Sequence, residues 1–229
     1  MRITNKKAVF FDLDHTLWDF EKNSAITFRT IFKKHGLDMD HERFIELYVP
    51  INENYWKLFR DGMISQEELR YGRLSEAFRQ VGYKVGDDLL HALATDYIKH
   101  LPESNHLFEG AIEILDYLKP KYSLHIITNG FHEVQAGKMK NSNLDRYFET
   151  VTNSDMAGCK KPQAGIFEFA LKAANAEQSH SVMIGDCIEA DVQGALDCGI
   201  DAIYFNEFRK EAHPSVTQVH HLLELKNLL

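Results

Sequence analysis

The order of apolar and polar residues along the chain predicts an alternation of strands and helices in most of its length. Apolar runs of the length typical of buried strands lie at 7–11, 123–127, 181–184 and 202–205. Apolar residues recur with helical spacing around 110–119, 132–141, 163–174 and 188–198. Strands that alternate with helices predict an α/β fold with a Rossmann-like parallel sheet covered by helices on both faces.

The chain between residues 22 and 101 has a different pattern, with helical periodicity throughout and no convincing strand. A capping-box pattern over 65–68 predicts the start of a helix that runs to about Gln80. Gly62 and Gly82 stand where helices would end, and Asp87 is a candidate cap for a further helix. The sequence therefore predicts two domains: an α/β core made of 1–20 and 102–229, and an all-helical domain of 21–101 inserted after the first strand.

Composition and charge narrow the classes of partner. The chain has 229 residues and a formal net charge of −8, with no concentrated stripe of Lys and Arg, which argues against binding a nucleic acid polymer. No apolar run approaches the roughly 18 residues needed to cross a bilayer. The apolar run before Asp12 is too short for a signal peptide. We therefore predict a cytoplasmic protein without a membrane partner.

Two carboxylates follow the first predicted strand directly. Asp12 and Asp14 stand at the carboxyl end of the run at 7–11, which is where parallel sheets bind their ligands. Taken alone, two acids on a loop are equally typical of a solvated turn, so the later loops have to decide between the two interpretations.

Three later loops carry polar residues at similar positions. Thr128-Asn129-Gly130 follows the strand at 123–127, and such a segment can cradle a phosphate. Lys161-Pro162 precedes a helix, a combination that is also common at a helix entry with Pro as the first residue. Asp186 and Asp191 follow the strand at 181–184, where helix capping and a solvated helix face are the alternatives. Each loop has an ordinary explanation, but their joint order indicates one site.

That order of acid pair, Thr-Asn, Lys-Pro and Gly-Asp-x4-Asp resembles the haloacid dehalogenase superfamily of hydrolases over nearly the whole chain, and the helical insertion resembles its cap domain. The resemblance implies that Asp12 is the nucleophile and Asp14 the general acid and base. It also implies that Thr128 and Asn129 bind phosphate, and that Lys161 stabilises both nucleophile and phosphoryl group.

The resemblance further implies a Mg²⁺ ion as the cofactor. Asp12 and Asp186 would be carboxylate ligands, Asp14 would supply its backbone carbonyl, and Asp191 would order Lys161 or metal-bound water. Several carboxylates facing a phosphate dianion would otherwise repel it, and a divalent cation and an ammonium group reverse that local field.

The second acid of the first loop bears on the reaction class. A halide leaving group needs no proton, whereas a phosphate ester does, so Asp14 favours phosphoryl transfer over dehalogenation. We therefore expect a Mg²⁺-dependent phosphomonoester hydrolase that acts through an aspartyl-phosphate on a small molecule. A sugar-phosphate phosphatase, a phosphomutase and a catalytically silent binding module stay open as alternatives.

Shorter stretches resemble a narrower branch that contains pyrimidine 5′-nucleotidases acting on non-canonical nucleoside monophosphates. They are 127–131, the segment 55–62 and Arg73. If this resemblance extends to the substrate, Trp18, Phe20 or Trp56 would stack on a base and Arg73 would meet a polar group of the substrate. The alternative is that the aromatic residues are core residues and that Arg73 is solvated.

Overall fold

A computed structural model describes residues 3–229 and divides them into two compact units. One unit contains the chain up to Phe20 together with Asn105–Leu229, and the other is Glu21–Ser104. No helix among residues 3–229 is long and apolar enough to span a membrane.

The first unit is built on a sheet of six strands, all parallel, in the order β3-β2-β1-β4-β5-β6. The strands are β1 Ala8–Phe11, β2 Ser123–Thr128, β3 Thr150–Asn153, β4 Ser181–Gly185, β5 Asp201–Phe205 and β6 Gln218–Val219. The helices of this unit are α5 Ala111–Leu118, α6 His132–Asn141, α7 Ser154–Ala157, α8 Ala164–Ala173 and α9 Gly194–Asp197, with a π-helical segment at Ile188–Gln193 just before α9. The predicted α/β fold with a parallel sheet is confirmed.

Both faces of the central strand are buried, which explains why β1 is apolar without alternation. Phe10 belongs to a cluster with Ile166 and Phe167 of α8 and Ala195 of α9. Its neighbour Phe11 points to the opposite face of the sheet and is also fully buried. A strand covered on both sides has no solvent face to interrupt the apolar run, so its first polar residue, Asp12, marks the point where the strand ends.

One titratable side chain is buried within the sheet. His125 of β2 is 0% exposed, and its Nδ1 lies 2.9 Å from Thr150 Oγ1 on the neighbouring strand β3. Its ring lies against Phe10, with 4.9 Å between the ring centroids. Burial lowers the pKa of His125 from its ordinary value, and the charge of Glu149 opposes that shift only in part.

This burial predicts a pH-dependent loss of stability. Because the folded-state pKa of His125 is depressed, the unfolded chain binds a proton that the folded chain does not, so the free energy of unfolding falls as the pH drops below about 6.5, by at most ~1.4 kcal/mol per pH unit. In His125→Phe this contribution should vanish. Urea unfolding of the wild-type protein and of His125→Phe between pH 5 and 7.5 measures this contribution. If the difference between their free energies of unfolding does not change with pH, the prediction is wrong.

The second unit is helical throughout. Its helices are α1 Phe20–Lys34, whose first residue belongs to the other unit, α2 His41–Arg60, α3 Gln66–Val81 and α4 Asp87–His100. They pack around an aromatic cluster of Phe28, Phe32, Phe44, Tyr48, Phe78 and Tyr97. The predicted capping box is present, since Ser65 Oγ accepts from Glu68 N and Ser65 N donates to the Glu68 carboxylate. Gly82 ends α3 with a φ of 74°.

Several local predictions were wrong. Asp87 is the first residue of α4 and Gly86 is its N-cap, so Asp87 does not cap the helix; its carboxylate accepts a hydrogen bond from Tyr71. Pro162 lies before Gln163, the N-cap of α8, and is therefore not the first helical residue. β3 and β6 were not predicted, because their sequences Thr-Val-Thr-Asn and Gln-Val are too short and too polar to give a strand pattern.

Candidate active site

The carboxyl ends of three adjacent strands bring the polar loops together. β1 lies between β2 and β4, and Phe11 is paired with Ile126 on one side and Ile184 on the other. Asp12 therefore emerges between the ends of the two neighbouring strands. Thr128 closes β2 and Asp186 directly follows β4, so the predicted side chains meet at one edge of the sheet.

A tight turn after β1 determines the position of Asp14. Trp18 N and Leu17 N both donate to Leu13 O, and His15 N donates to Trp18 O at 3.0 Å. His15 adopts a φ of 62°, a left-handed conformation that is uncommon for a residue with a side chain. The turn reverses the chain immediately, so that Asp14 stays near the end of β1 instead of following the strand direction outward.

Lys161 is the central cation of the site. Its side chain is 2% exposed, and Nζ lies 2.5 Å from Asp12 Oδ1 and 2.6 Å from Asp191 Oδ1. Nζ also donates to the backbone oxygen of Ile127 at 2.7 Å, which uses all three hydrogens of the ammonium group. Burial by itself lowers the pKa of Lys161, but the two carboxylates raise it more, so the pKa lies above its ordinary value and the group is charged.

Asp191 is held by the segment that follows β4. The residue is 1% exposed, and its Oδ2 accepts a hydrogen bond from Cys187 N at 3.0 Å. A Cβ atom on Gly185 would lie 2.3 Å from the Asp191 carboxylate, so only glycine leaves room for it. The solvated helix face considered for Asp191 is therefore wrong, because its carboxylate is buried and points back toward the strand ends.

Three carboxylates lie close enough to share a cation. One oxygen from each of Asp12, Asp186 and Asp191 falls within 4.8 Å of the others. Burial raises the pKa of Asp12, although Lys161 opposes the shift. Burial also raises the pKa of Asp186 to about 8, and the charge of Asp191 adds to that shift.

This donor set fits a hard divalent cation. Carboxylate oxygens are the ligands that Mg²⁺ prefers, and a positive charge placed among them would offset both their burial and their mutual repulsion. Asp12 and Asp186 are two of the predicted ligands, and Asp191 is a further possible ligand in addition to holding Lys161. The backbone oxygen of Asp14 stays a predicted ligand.

Asp14 has two neighbours that were not predicted from the sequence. Lys138 Nζ lies 2.5 Å from Asp14 Oδ1, and Gln135 Nε2 donates to Asp14 Oδ2 at 2.8 Å. Both come from α6, where their spacing of three residues places them on one helix face. The helix follows directly on the Thr128 loop, but the spacing alone does not show that this face meets the site.

The two phosphate-binding candidates in the loop after β2, Thr128 and Asn129, make different hydrogen bonds. Thr128 Oγ1 accepts from Gly130 N at 3.1 Å and from Gln135 Nε2 at 2.8 Å. The side chain of Asn129 holds the lysine loop: its Oδ1 accepts from Lys161 N at 2.8 Å and its Nδ2 donates to Lys161 O at 3.0 Å. Phosphate binding by Asn129 therefore stays a prediction for its backbone nitrogen.

The side chains suggested to contact a base or a polar substrate group have other surroundings within their own units. Trp18 is 0% exposed, and Lys138 Nζ lies 4.3 Å from its ring centroid, so its face is already covered by a cation. Arg73 is 3% exposed and donates to Asn52 Oδ1 at 2.7 Å. The alternative interpretation, that Arg73 is solvated, is therefore wrong. Trp56 is half-buried on α2, edge-on to Phe59.

The chain is similar in sequence to a family of hydrolases and to individual phosphatases. The haloacid dehalogenase-like hydrolase family matches residues 6–199. The pyrimidine 5′-nucleotidase PynA of Streptococcus pneumoniae is 32% identical, over 97% of this chain and 93% of its own. The glyceraldehyde 3-phosphate phosphatase of Pyrococcus furiosus is 29% identical, over 96% of this chain and 92% of its own.

The fold is shared with a solved structure as well. The HAD-hydrolase YfnB of Bacillus subtilis, solved with bound magnesium, has a TM-score of 0.87 and 25% identity, covering 98% of each chain. The chain thus belongs to the haloacid dehalogenase-like hydrolases, and the family predicted from the loop motifs is confirmed.

Proposed function

We propose that this hydrolase is a Mg²⁺-dependent phosphomonoesterase that forms an aspartyl-phosphate on Asp12. The observation that carries the proposal is the contact of 2.5 Å between Lys161 Nζ and Asp12 Oδ1. It places a positive charge beside a buried carboxylate and so opposes the rise in pKa that burial causes, which favours the charged, nucleophilic form. The pair lies at the edge of the sheet where parallel strands bind ligands. A second acid, Asp14, stands two residues away, where a leaving oxygen would need a proton.

The nucleophile is oriented by its pairing with Lys161. One carboxylate oxygen of Asp12 attacks phosphorus, and the other remains available to Mg²⁺. The new O–P bond forms as the bond between phosphorus and the leaving oxygen breaks, which divides hydrolysis into two steps through a covalent intermediate. Lys161 limits the rotation of the carboxylate and thereby contributes to its alignment with the phosphorus.

Asp14 is proposed to serve both steps. In the first it gives a proton to the leaving alcohol oxygen, and in the second it accepts a proton from the water that attacks the aspartyl-phosphate. The bonds from Lys138 and Gln135, one to each carboxylate oxygen, hold Asp14 in a fixed orientation while it exchanges that proton.

The charges of the site require a further cation before a phosphate dianion can bind. Four carboxylates, those of Asp12, Asp14, Asp186 and Asp191, face two ammonium groups, those of Lys138 and Lys161. Asp12 and Asp186, together with the backbone oxygen of Asp14 or the carboxylate of Asp191, would hold Mg²⁺, which when bound supplies positive charge to the phosphoryl oxygens. The hydroxyl of Thr128 would then donate to one of these oxygens.

The substrate class is proposed from the relatives. PynA is named a pyrimidine 5′-nucleotidase and matches this chain over nearly its whole length, including the helical unit. We therefore propose a pyrimidine nucleoside monophosphate as the small-molecule substrate. A sugar phosphate is the second candidate, because the Pyrococcus furiosus relative is named for glyceraldehyde 3-phosphate.

A substrate screen tests this proposal. Purified protein is assayed for phosphate release from nucleoside monophosphates, sugar phosphates and pyrophosphate, with Mg²⁺ and with a chelator. We expect hydrolysis of pyrimidine nucleoside monophosphates that depends on Mg²⁺. Activity on sugar phosphates alone would replace the nucleotidase proposal by the second candidate, and no phosphate release from any compound would contradict the phosphatase proposal.

A further inference from the structure

Gln135 connects two groups of the site that are otherwise assigned to different tasks. Its Nε2 donates to Asp14 Oδ2 and to Thr128 Oγ1, each at 2.8 Å. The side chain is 1% exposed, so water does not compete for these bonds. An amide nitrogen carries two hydrogens, and here one is given to the acid–base carboxylate and the other to the phosphate-binding hydroxyl.

The orientation of the Gln135 amide is fixed by its neighbours. If the amide were turned by 180°, Oε1 would lie where Nε2 now stands, facing the Asp14 carboxylate with no hydrogen between two acceptor oxygens. The carboxylate therefore selects the orientation in which nitrogen faces it, which is the criterion by which amide groups are assigned.

This orientation determines what the Thr128 hydroxyl can do. A hydroxyl oxygen has two acceptor positions and one hydrogen. The acceptor positions of Thr128 Oγ1 are taken by Gly130 N at 3.1 Å and by Gln135 Nε2. The hydroxyl must then act as a donor in any further bond, which is the role that binding a phosphoryl oxygen requires.

Gly130 provides the space for this arrangement. A Cβ atom at position 130 would lie 2.4 Å from Gln135 Nε2 and 2.5 Å from its Cδ. Gly130 is not among the glycines with positive φ, so its backbone conformation does not require glycine. The requirement comes from the Gln135 side chain, which passes directly over the residue.

We propose that Gln135 is a positioning residue that couples Asp14 to Thr128, holding the acid–base carboxylate in place and directing the Thr128 hydroxyl hydrogen toward the phosphoryl group. The inference rests on the proposed phosphatase function and adds a specific residue to it. Gln135 itself does not touch the reacting atoms; it acts through both of its partners.

Gln135→Met tests the coupling, because methionine has a similar length and no hydrogen to donate. We expect inhibition by inorganic phosphate to weaken by about tenfold, the effect of one lost hydrogen bond. We also expect kcat to fall more for a nucleoside monophosphate, whose leaving oxygen needs the proton of Asp14, than for p-nitrophenyl phosphate, whose leaving group is stable as an anion. A residue that only supports the fold would lower both rates equally.

A double-mutant cycle tests whether Gln135 affects phosphate binding through Thr128. In a Thr128→Val background, Gln135→Met should weaken phosphate inhibition by less than about twofold, because the hydroxyl it directs is already gone. Gly130→Ala, which displaces the Gln135 side chain, should reproduce the effects of Gln135→Met. Gly86→Ala in the helical unit, where no atom lies within 4 Å of the added Cβ, is the matched control and should leave phosphate inhibition unchanged.

The outcomes separate the inference from the function on which it rests. The inference would be overturned, and the phosphatase proposal left intact, if Asp12→Asn abolishes hydrolysis but Gln135→Met does not alter it. The same holds if Gln135→Met weakens phosphate inhibition equally with and without Thr128→Val. Absence of hydrolysis by the wild-type protein would overturn both. If Gln135→Met does not fold, as judged by circular dichroism, Gly130→Ala decides by the same two readouts.

Discussion

Asp12→Asn is expected to lower kcat by at least about 10³-fold while the protein still folds, since removing a nucleophile costs this much or more in enzymes that work through a covalent intermediate. Asparagine keeps the shape of the side chain but lacks the negative charge that attacks phosphorus and pairs with Lys161. Phosphate release under saturating substrate and Mg²⁺ measures the loss, and thermal unfolding shows whether the fold is retained.

Asp88→Asn provides the matched control for this change. Asp88 is an exposed residue in the first turn of α4, in the helical unit. The same loss of a carboxylate there should leave kcat within about twofold of the wild-type value, because surface substitutions away from special features have small effects. An Asp12→Asn protein that keeps more than a tenth of the wild-type kcat would rule out Asp12 as the nucleophile.

Lys161→Met is expected to lower the free energy of unfolding by about 3–5 kcal/mol at neutral pH without added metal, the usual cost of leaving buried charges without their partner. The substitution leaves Asp12 and Asp191 facing each other with no ammonium between them. It also removes the bond to Ile127 O. Urea unfolding measures the change, and phosphate release should fall strongly in the same variant.

Added Mg²⁺ should stabilise Lys161→Met more than it stabilises the wild-type protein, because a cation that binds only the folded state shifts unfolding by mass action and here also replaces a missing positive charge. Lys172→Met is the control, since Lys172 is exposed at the end of α8. A loss of stability in Lys161→Met no greater than that in the control would show that the cation does not hold the two carboxylates together.

The parts of the fold that the sequence predicts are those whose pattern is local. β1 and β4 are apolar on both faces because both faces are covered, so their ends are marked by the first polar residues, Asp12 and Asp186. The parallel arrangement then places these residues at one edge without further information. The same reasoning locates Thr128 after the apolar residues of β2.

Other features depend on contacts between distant parts of the chain and could not be predicted. Gln135 and Lys138 are separated from Asp14 by more than a hundred residues, and nothing in the composition of α6 shows which face meets the sheet edge. Arg73 and Asn52 form a buried pair that only packing of α2 against α3 creates. A polar residue in a helix is normally solvated, so burial of this kind leaves no sequence pattern.

The most direct test of the central claim, a phosphoryl group carried covalently by Asp12, uses the Asp14→Asn protein. With p-nitrophenyl phosphate the first step needs no proton from residue 14, but the second step lacks its base, so the intermediate should accumulate. The reaction is quenched in acid within seconds and the peptides are analysed by mass spectrometry. We predict a phosphoryl group on Asp12 in a large fraction of molecules; release of nitrophenolate with no adduct, or with an adduct on another residue, would contradict the mechanism.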